Sequence, residues 1–288
     1  MNVDVAVEAI DLGSLDAVLA LGLTIVFNAT RVINFAQGES LILGAAIGYQ
    51  VGAVAHLGAV VVMLLVGIGA VLAGLVSERL IMLPVRRSGS GYAWIIATLA
   101  VALIAEAVFG LLFPSTLLRP APLVDATWRV LGARVTAQQV LFVGYVLAVM
   151  VGYELFLSRT MFGSAVRATA HDPETTSTFG VSVRGVVVWS FVAAAVLTAF
   201  AGVLVAPISF FQPTDGLTYT VSGFVAMVIG GLGSTRGALA GGMVVGGLEA
   251  VLRNTISPSF GEIFVVVVLA AILVVRPEGL FQRTSVTA

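Results

Sequence analysis

Apolar runs of roughly fifteen to twenty-five residues follow one another along the chain, separated by short polar stretches. A helix rising about 1.5 Å per residue needs about 20 such residues to cross a bilayer. The pattern predicts spans near 14–30, 39–55, 57–81, 92–113, 138–157, 185–206, 217–232, 237–252 and 260–275. The runs at 217–232 and 237–252 are short, so they read either as tilted crossings or as half-helices meeting inside the membrane. The expected fold is all-α: a polytopic transmembrane bundle of about 8–9 spans with possible broken or re-entrant helices, forming one transmembrane domain over 1–288.

Composition sharpens this picture. Of 288 residues, 59% are hydrophobic and 10% charged, against about 25% charged in a soluble domain. Net charge is -1 and no basic tail is present, so nothing invites nucleic acid. Cysteine is absent, which excludes disulfides, thiolate metal sites and cysteine nucleophiles, and His56 and His171 are too few for a histidine-based metal site. The N-terminal stretch carries Asp4, Glu8, Asp11 and Asp16, acidic where a cleaved signal would be basic, so the first apolar run is expected to remain as a membrane helix.

Arginine placement suggests an orientation. With Arg86 and Arg87 cytoplasmic, alternation puts Arg31, Arg159, Arg167, Arg184, Arg236, Arg276 and Arg283 on the same side. Arg119, Arg129, Arg134, Arg253 and the acidic N-terminus fall on the other, giving an outer N-terminus and an inner C-terminus for nine crossings. The outer segment 114–137, with Pro114, Pro120, Pro122 and Asp125, reads as an ordered loop on the membrane face.

The inner segment 158–184 carries two helix signals. Ser164–Ala170 follows Gly163 with good helix formers and projects Arg167. Asp172-Pro173-Glu174 then supplies an N-cap, a first-turn proline and a dipole-complementing acid, and Gly180 a left-handed terminator. The predicted helix, 173–179, is too short to persist alone and is weakened by Thr175, Thr176 and Thr178. It must dock, either on this chain's own helix ends or on a cytosolic partner.

Two further stretches interrupt the apolar pattern. Arg31 to Glu39 places Asn34, Gln37 and Glu39 close to apolar runs, where polar groups are costly unless they cap broken backbone or line a cavity. Gly230, Gly231 and Gly233 should break a helix, and Gly237, Gly241 and Gly247 recur at helical spacing after them. This pattern fits a tight packing seam or a bundle whose halves slide. Asn34, Gln37, Glu39, Gly230, Gly231 and Gly233 are the candidate translocation-path residues. Glu106 is the charge nearest mid-span and reads as a structural interior group or a proton carrier, while Glu249 and Arg253 are spaced to pair. Glu154 lies near the inner interface with no need of a buried partner, and His56 reads as interfacial. No motif for covalent or acid–base catalysis and no phosphate-binding glycine loop is present, so no catalytic residue is assigned and any drive must come from a partner or an ion gradient.

Four segments carry a family resemblance. Arg31 to Glu39, RVINFAQGE, resembles the RVINFAHGE-like signature of branched-chain amino acid ABC permeases, with Gln37 where histidine is common. Ser158 to Val181 resembles that family's cytoplasmic coupling region, with Thr175, Thr176 and Ser177 replacing the usual alanines. GGLGSTRGALAGG, from Gly230 to Gly242, and RPEGLF, from Arg276 to Phe281, are similar to its late segments, and the INFAQGE form is similar to the first of the two paired permease types. The resemblance implies a transporter subunit rather than an enzyme, importing branched-chain amino acids across the bacterial inner membrane. It also implies a second homologous permease, two cytosolic ATPases holding ATP and Mg, and a periplasmic or lipid-anchored binding protein. The loop 158–184, with Arg167, Asp172, Pro173, Glu174 and Gly180, would then dock on an ATPase. Urea or short-amide import by the same architecture, or a gradient-driven carrier, are the alternatives.

Overall fold

In the computed structural model, residues 3–255 are described apart from 56–57, 89–90, 114–116, 131 and 210, together with residue 267. The helices are α1 (Val3–Thr30), α2 (Gln37–Ile47), α3 (Ala59–Arg87), α4 (Ala93–Leu112), α5 (Ala137–Arg159), α6 (Met161–His171), α7 (Pro173–Thr178), α8 (Val183–Val205), α9 (Gly216–Gly230) and α10 (Thr235–Thr255). A π-helical stretch, Gly48–Val54, continues α2, and an antiparallel ribbon of β1 (Thr127–Val130) and β2 (Ala133–Thr136) pairs Trp128 with Val135. The ribbon leads into α5, so the expected outer loop contains a hairpin.

Helices cover the first eight expected spans; the ninth, 260–275, lies outside the described residues, as do His56, Pro114 and the segment Arg276 to Phe281. The division into crossings differs from the expected one. Five described helices (α1, α3, α4, α5 and α8) are long and apolar enough to cross a bilayer, or six if the bent pair α9–α10 is one span. That pair turns through 117°, the geometry of a broken span or re-entrant loop. The span expected at 39–55 divides between the short α2 and the π-helical stretch.

The bundle has an inner and an outer set. α1 and α8 are mostly buried, whereas α3, α4 and α5 leave most of their apolar surface outward. Leu64, Ile68, Leu72, Leu75 and Val76 along α3 are exposed, an outside as oily as a lipid-facing wall must be. Inside, small residues let backbones meet without any hydrophobic drive between helices. A Cβ on Gly44 would lie 1.9 Å from the Ala199 carbonyl oxygen of α8, and one on Gly74 would lie 2.7 Å from the Val192 Cα.

The acidic N-terminal stretch forms the first turns of α1 rather than a free tail, and Asp11 and Asp16 are buried within the bundle. At 28 residues α1 is about 42 Å long, so its ends define two faces of the molecule. The α1 C-terminus carries the α9–α10 elbow, α6 and α7. Its N-terminus carries β2, the start of α5 and the end of α10, joined by Gln139 donating to Asp11 at 2.6 Å and Asn254 to Glu8 at 2.6 Å.

Candidate functional site

The chain leaves α1 at Arg31, which takes a left-handed backbone (φ +57°), a conformation that costs a non-glycine residue about 1–2 kcal/mol. The strained residue makes a long-range contact: its Nε donates to the Ala170 carbonyl at 3.1 Å, and a second guanidinium nitrogen donates to the same oxygen. Ala170 sits in the last turn of α6, where carbonyls lack intrahelical donors and the helix dipole favours a cation. Arg31 thus closes α6 and ties it to the break after α1.

Beyond Arg31 the break turns back into the bundle. Asn34 accepts from the Ala36 amide (3.1 Å) and donates to Gln37 (3.4 Å). Gln37 in turn donates to the Thr198 hydroxyl (2.7 Å) and the Ala194 carbonyl (3.0 Å) of α8. A Cβ on Gly22 would lie 2.6 Å from the Gln37 amide nitrogen, so the amide is wedged between α1 and α8. The first free amides of α2 also find acceptors: Gln37 N–H donates to the Asn34 carbonyl (3.1 Å), and Gly38 N–H to the Thr220 hydroxyl (2.7 Å). Thr220 donates to the Gly216 carbonyl (2.9 Å). Phe35 stacks on Trp94 at 6.4 Å and meets Phe224 edge-on at 5.9 Å.

Glu39 stands apart from this satisfied network. It is 5% exposed, and neither carboxyl oxygen has a hydrogen-bond partner. A Cβ on Gly216, at the start of α9, would lie 2.2 Å from Glu39 Oε1. Glu106 of α4 is only half-buried. Glu39 is thus more deeply buried than Glu106, the charge the sequence placed nearest mid-span.

The elbow between α9 and α10 is built sterically. A Cβ on Gly230 would lie 1.9 Å from the Gly237 carbonyl oxygen, and one on Gly237 equally close to that of Gly230. Gly231 (φ +91°) and Gly233 (φ +84°) turn the chain through backbone space that side chains rarely enter. Asn28 of α1 holds the turn, donating to the Gly233 carbonyl at 3.0 Å. The small face of α10 is double: Gly237 and Gly241 meet α9, while Gly242 and Gly246 meet Ala17 and Gly13 of α1. Gly247, grouped with the first two by spacing, points at open space.

In the 158–184 loop, Thr160 caps α6 through the Gly163 amide (2.9 Å), and Val166 packs with Ala29 and Val186. Arg167 donates to the Leu157 carbonyl and to Ser164 Oγ at 3.2 Å, bracing the α5–α6 corner. Asp172 caps α7, accepting from the amides of Glu174 (3.0 Å) and Thr175 (3.1 Å) and from the Thr175 hydroxyl. The bonds from Thr175 and the Glu174 amide hold its carboxyl below the usual aspartate range. Pro173 and Glu174 open α7, and Gly180 (φ +81°) follows its end. Thr176 is buried, but Phe179 is 81% and Met161 92% exposed, two apolar side chains on the outside of the loop.

Glu39 and the Gly38 amide thus meet the α9 N-terminus, Asn34 and Gln37 lead from there to α8, and Gly230, Gly231 and Gly233 stand at the α9 C-terminus. The two groups are opposite ends of one short helix rather than one cluster. Thr198 and Thr220 complete the first group and were missed, since a threonine in an apolar helix carries no local signal; Arg31 was legible as part of the break, but its tie to α6 was not. Glu249 and Arg253 pair as spaced, and Glu154 pairs with Arg236 at 3.1 Å, although its position required no partner. Among the described residues no group of three or more histidines and carboxylates is placed to hold a metal.

The sequence profile of a family described as "Branched-chain amino acid transport system / permease component" matches residues 6–275. The chain is 29% identical, over 97% of its length and 95% of the relative's, to the high-affinity branched-chain amino acid transport system permease protein BraD of Pseudomonas aeruginosa. It is 28% identical to the corresponding protein LivH of Escherichia coli K12, over 97% of this chain and 95% of that one. The probable branched-chain amino acid transport permease protein LivH of Methanocaldococcus jannaschii is 29% identical, over 94% and 90% of the two chains.

Proposed function

The chain belongs to the family of branched-chain amino acid transport system permease components, and on that premise we propose that it lines the path of an ATP-binding-cassette importer for leucine, isoleucine and valine. It spans the bacterial inner membrane beside a second homologous permease. Two cytosolic ATPases bind ATP and Mg, and a periplasmic or lipid-anchored binding protein delivers the substrate. The observation that carries this reading is the bonded route from loop to bundle interior. α7, with exposed Phe179, Glu174 and Gly180, offers a face to an ATPase. α6 is joined to it at Asp172, and Arg31 ties α6 to the break that places Gln37 between α1 and α8. Movement of the loop is transmitted to the α2 N-terminus through these bonds.

One observation favours a second reading. Glu39, buried and unpaired, is the kind of group a proton-driven carrier would use. Uptake of labelled leucine in cells lacking this chain, with and without its restoration, separates the readings. Restored uptake that needs ATP and is competed by isoleucine and valine is the expected result. ATP-dependent entry of urea or acetamide instead keeps the architecture and changes the substrate. Uptake that collapses with the proton or sodium gradient while ATP is maintained overturns the ATP-driven reading.

A further inference from the structure

A cavity of about 560 Å³ opens at the α1 N-terminus, on the face remote from α6 and α7. Asp4, Glu8 and Asp11 lie along one side of α1, and Arg134 of β2 and Arg253 of α10 also line it. Val7, Leu12, Leu15 and Ile208 supply apolar wall. Its volume lies within the roughly 300–1,000 Å³ range of small-molecule sites.

Among the described residues no ion pair joins Asp4, Glu8 or Asp11 to Arg134 or Arg253. The bonds shown for Asp11 and Glu8 come from the neutral amides of Gln139 and Asn254. Arg253 pairs with Glu249, and its Nε is enclosed, so it meets the cavity through the rest of its guanidinium. Carboxylates held by neutral donors can receive an ammonium, and the guanidinium groups of Arg134 and Arg253 in the wall can receive a carboxylate. The apolar wall between them suits an uncharged side chain. Inward, Leu15 lies one turn before Leu19, which packs on Gly223 of α9. Tyr219, also in the wall, adjoins Thr220, the partner of the Gly38 amide. The cavity therefore ends against the α9 segment that anchors the break.

We propose that this cavity is a receiving vestibule for a free zwitterionic α-amino acid with an aliphatic side chain. The acids along α1 take its ammonium, and Arg134 and Arg253 take its carboxylate. The assignment rests on the importer reading, because it supposes that an amino acid is handed to this face.

The test uses the assembled importer in nanodiscs without binding protein, measuring equilibrium binding of labelled leucine. Leucine binds and is displaced by isoleucine and valine, but not by leucinamide, which lacks the carboxylate, or 4-methylpentanoate, which lacks the ammonium. Arg134→Gln and Asp4→Asn, both at exposed positions, each weaken binding about tenfold, the scale of one lost charge-assisted hydrogen bond. In proteoliposomes supplied with binding protein they raise the leucine concentration needed for uptake, while ATP hydrolysis stimulated by the binding protein stays at the wild-type level. Equal displacement by leucinamide or 4-methylpentanoate overturns the proposal, as does unchanged leucine affinity in both variants. Lost stimulation of hydrolysis with intact leucine affinity would make the face a docking surface for the binding protein and also overturn it. Failure of the importer reading looks different: the wild-type assembly shows no ATP-driven leucine uptake, whatever the binding panel gives.

Discussion

Among the described residues, the break after α1 at 31–36 and the elbow between α9 and α10 at 231–234 are held by opposite means. The first is polar: Asn34, Gln37, Thr198 and Thr220 supply the partners that freed backbone and a buried amide require. The second is steric, with backbones so close at Gly230 and Gly237 that no side chain fits. A hydrogen-bonded break can exchange partners and shift, whereas one closed by contact can only stay shut or open. The difference suggests that the first break moves during the cycle while the elbow acts as a fixed corner, pinned to α1 by Asn28.

The largest expected effect is at the corner. Gly230→Val forces a branched side chain into the Gly237 carbonyl and should destabilise the protein by about 3 kcal/mol or more, beyond ordinary overpacking. Loss of folded protein in a detergent thermal-stability assay is expected, and a wild-type melting point would show that the corner is not rigid.

At the polar break, Gln37→Leu leaves the Thr198 hydroxyl and Ala194 carbonyl without their donor, at about 1–3 kcal/mol. Gln37→His keeps a donor and should lose less. If both variants melt alike, the Gln37 bonds do not hold the break.

Arg31→Ala separates the two regions functionally. It removes the clamp on α6, and its own left-handed backbone gains nothing in exchange. Folding should be nearly intact, with leucine uptake several-fold lower while ATP hydrolysis by the assembly continues, about 1 kcal/mol of lost coupling. Proportional loss of both would mean that Arg31 serves stability alone.

The smallest effect concerns Asp172. Its carboxyl is held below the ordinary value of 3.8, so its contribution to α7 is complete above that pH. It is lost only as the pH falls from there through the depressed value. Hydrogen exchange at the Glu174 and Thr175 amides should therefore, after correction for intrinsic rates, show constant protection from pH 8 to about 5. Protection that declines within that window would assign the cap to another group.

Much of this arrangement was legible in the chain. The α7 cap, its proline and Gly180 read correctly because capping is local chemistry within a few residues. The glycine turn did too, since Gly231 and Gly233 are needed for positive φ. Glu106 drew attention by its place in an apolar run, yet Glu39 is buried more deeply, because burial depends on what packs opposite and Gly216 is far away in sequence. Arg31 looked like a charge marking a membrane face; its bond to Ala170 spans 139 positions and leaves no periodic trace.

Local sequence was enough to establish a membrane helix bundle, most of its helical stretches, and the breaks at 31–36 and 231–234. Those features follow from hydropathy, helix capping and backbone sterics, which act over one or a few turns. Packing, by contrast, set α1 and α8 in the interior and bent α9–α10 into a pair. It also decided that Gln37 bonds across to α8 and that acids and arginines from separate elements enclose one cavity. Each of these depends on which surfaces meet. In a bundle without hydrophobic drive between helices, that choice is made by small residues and hydrogen bonds at contacts distant in sequence.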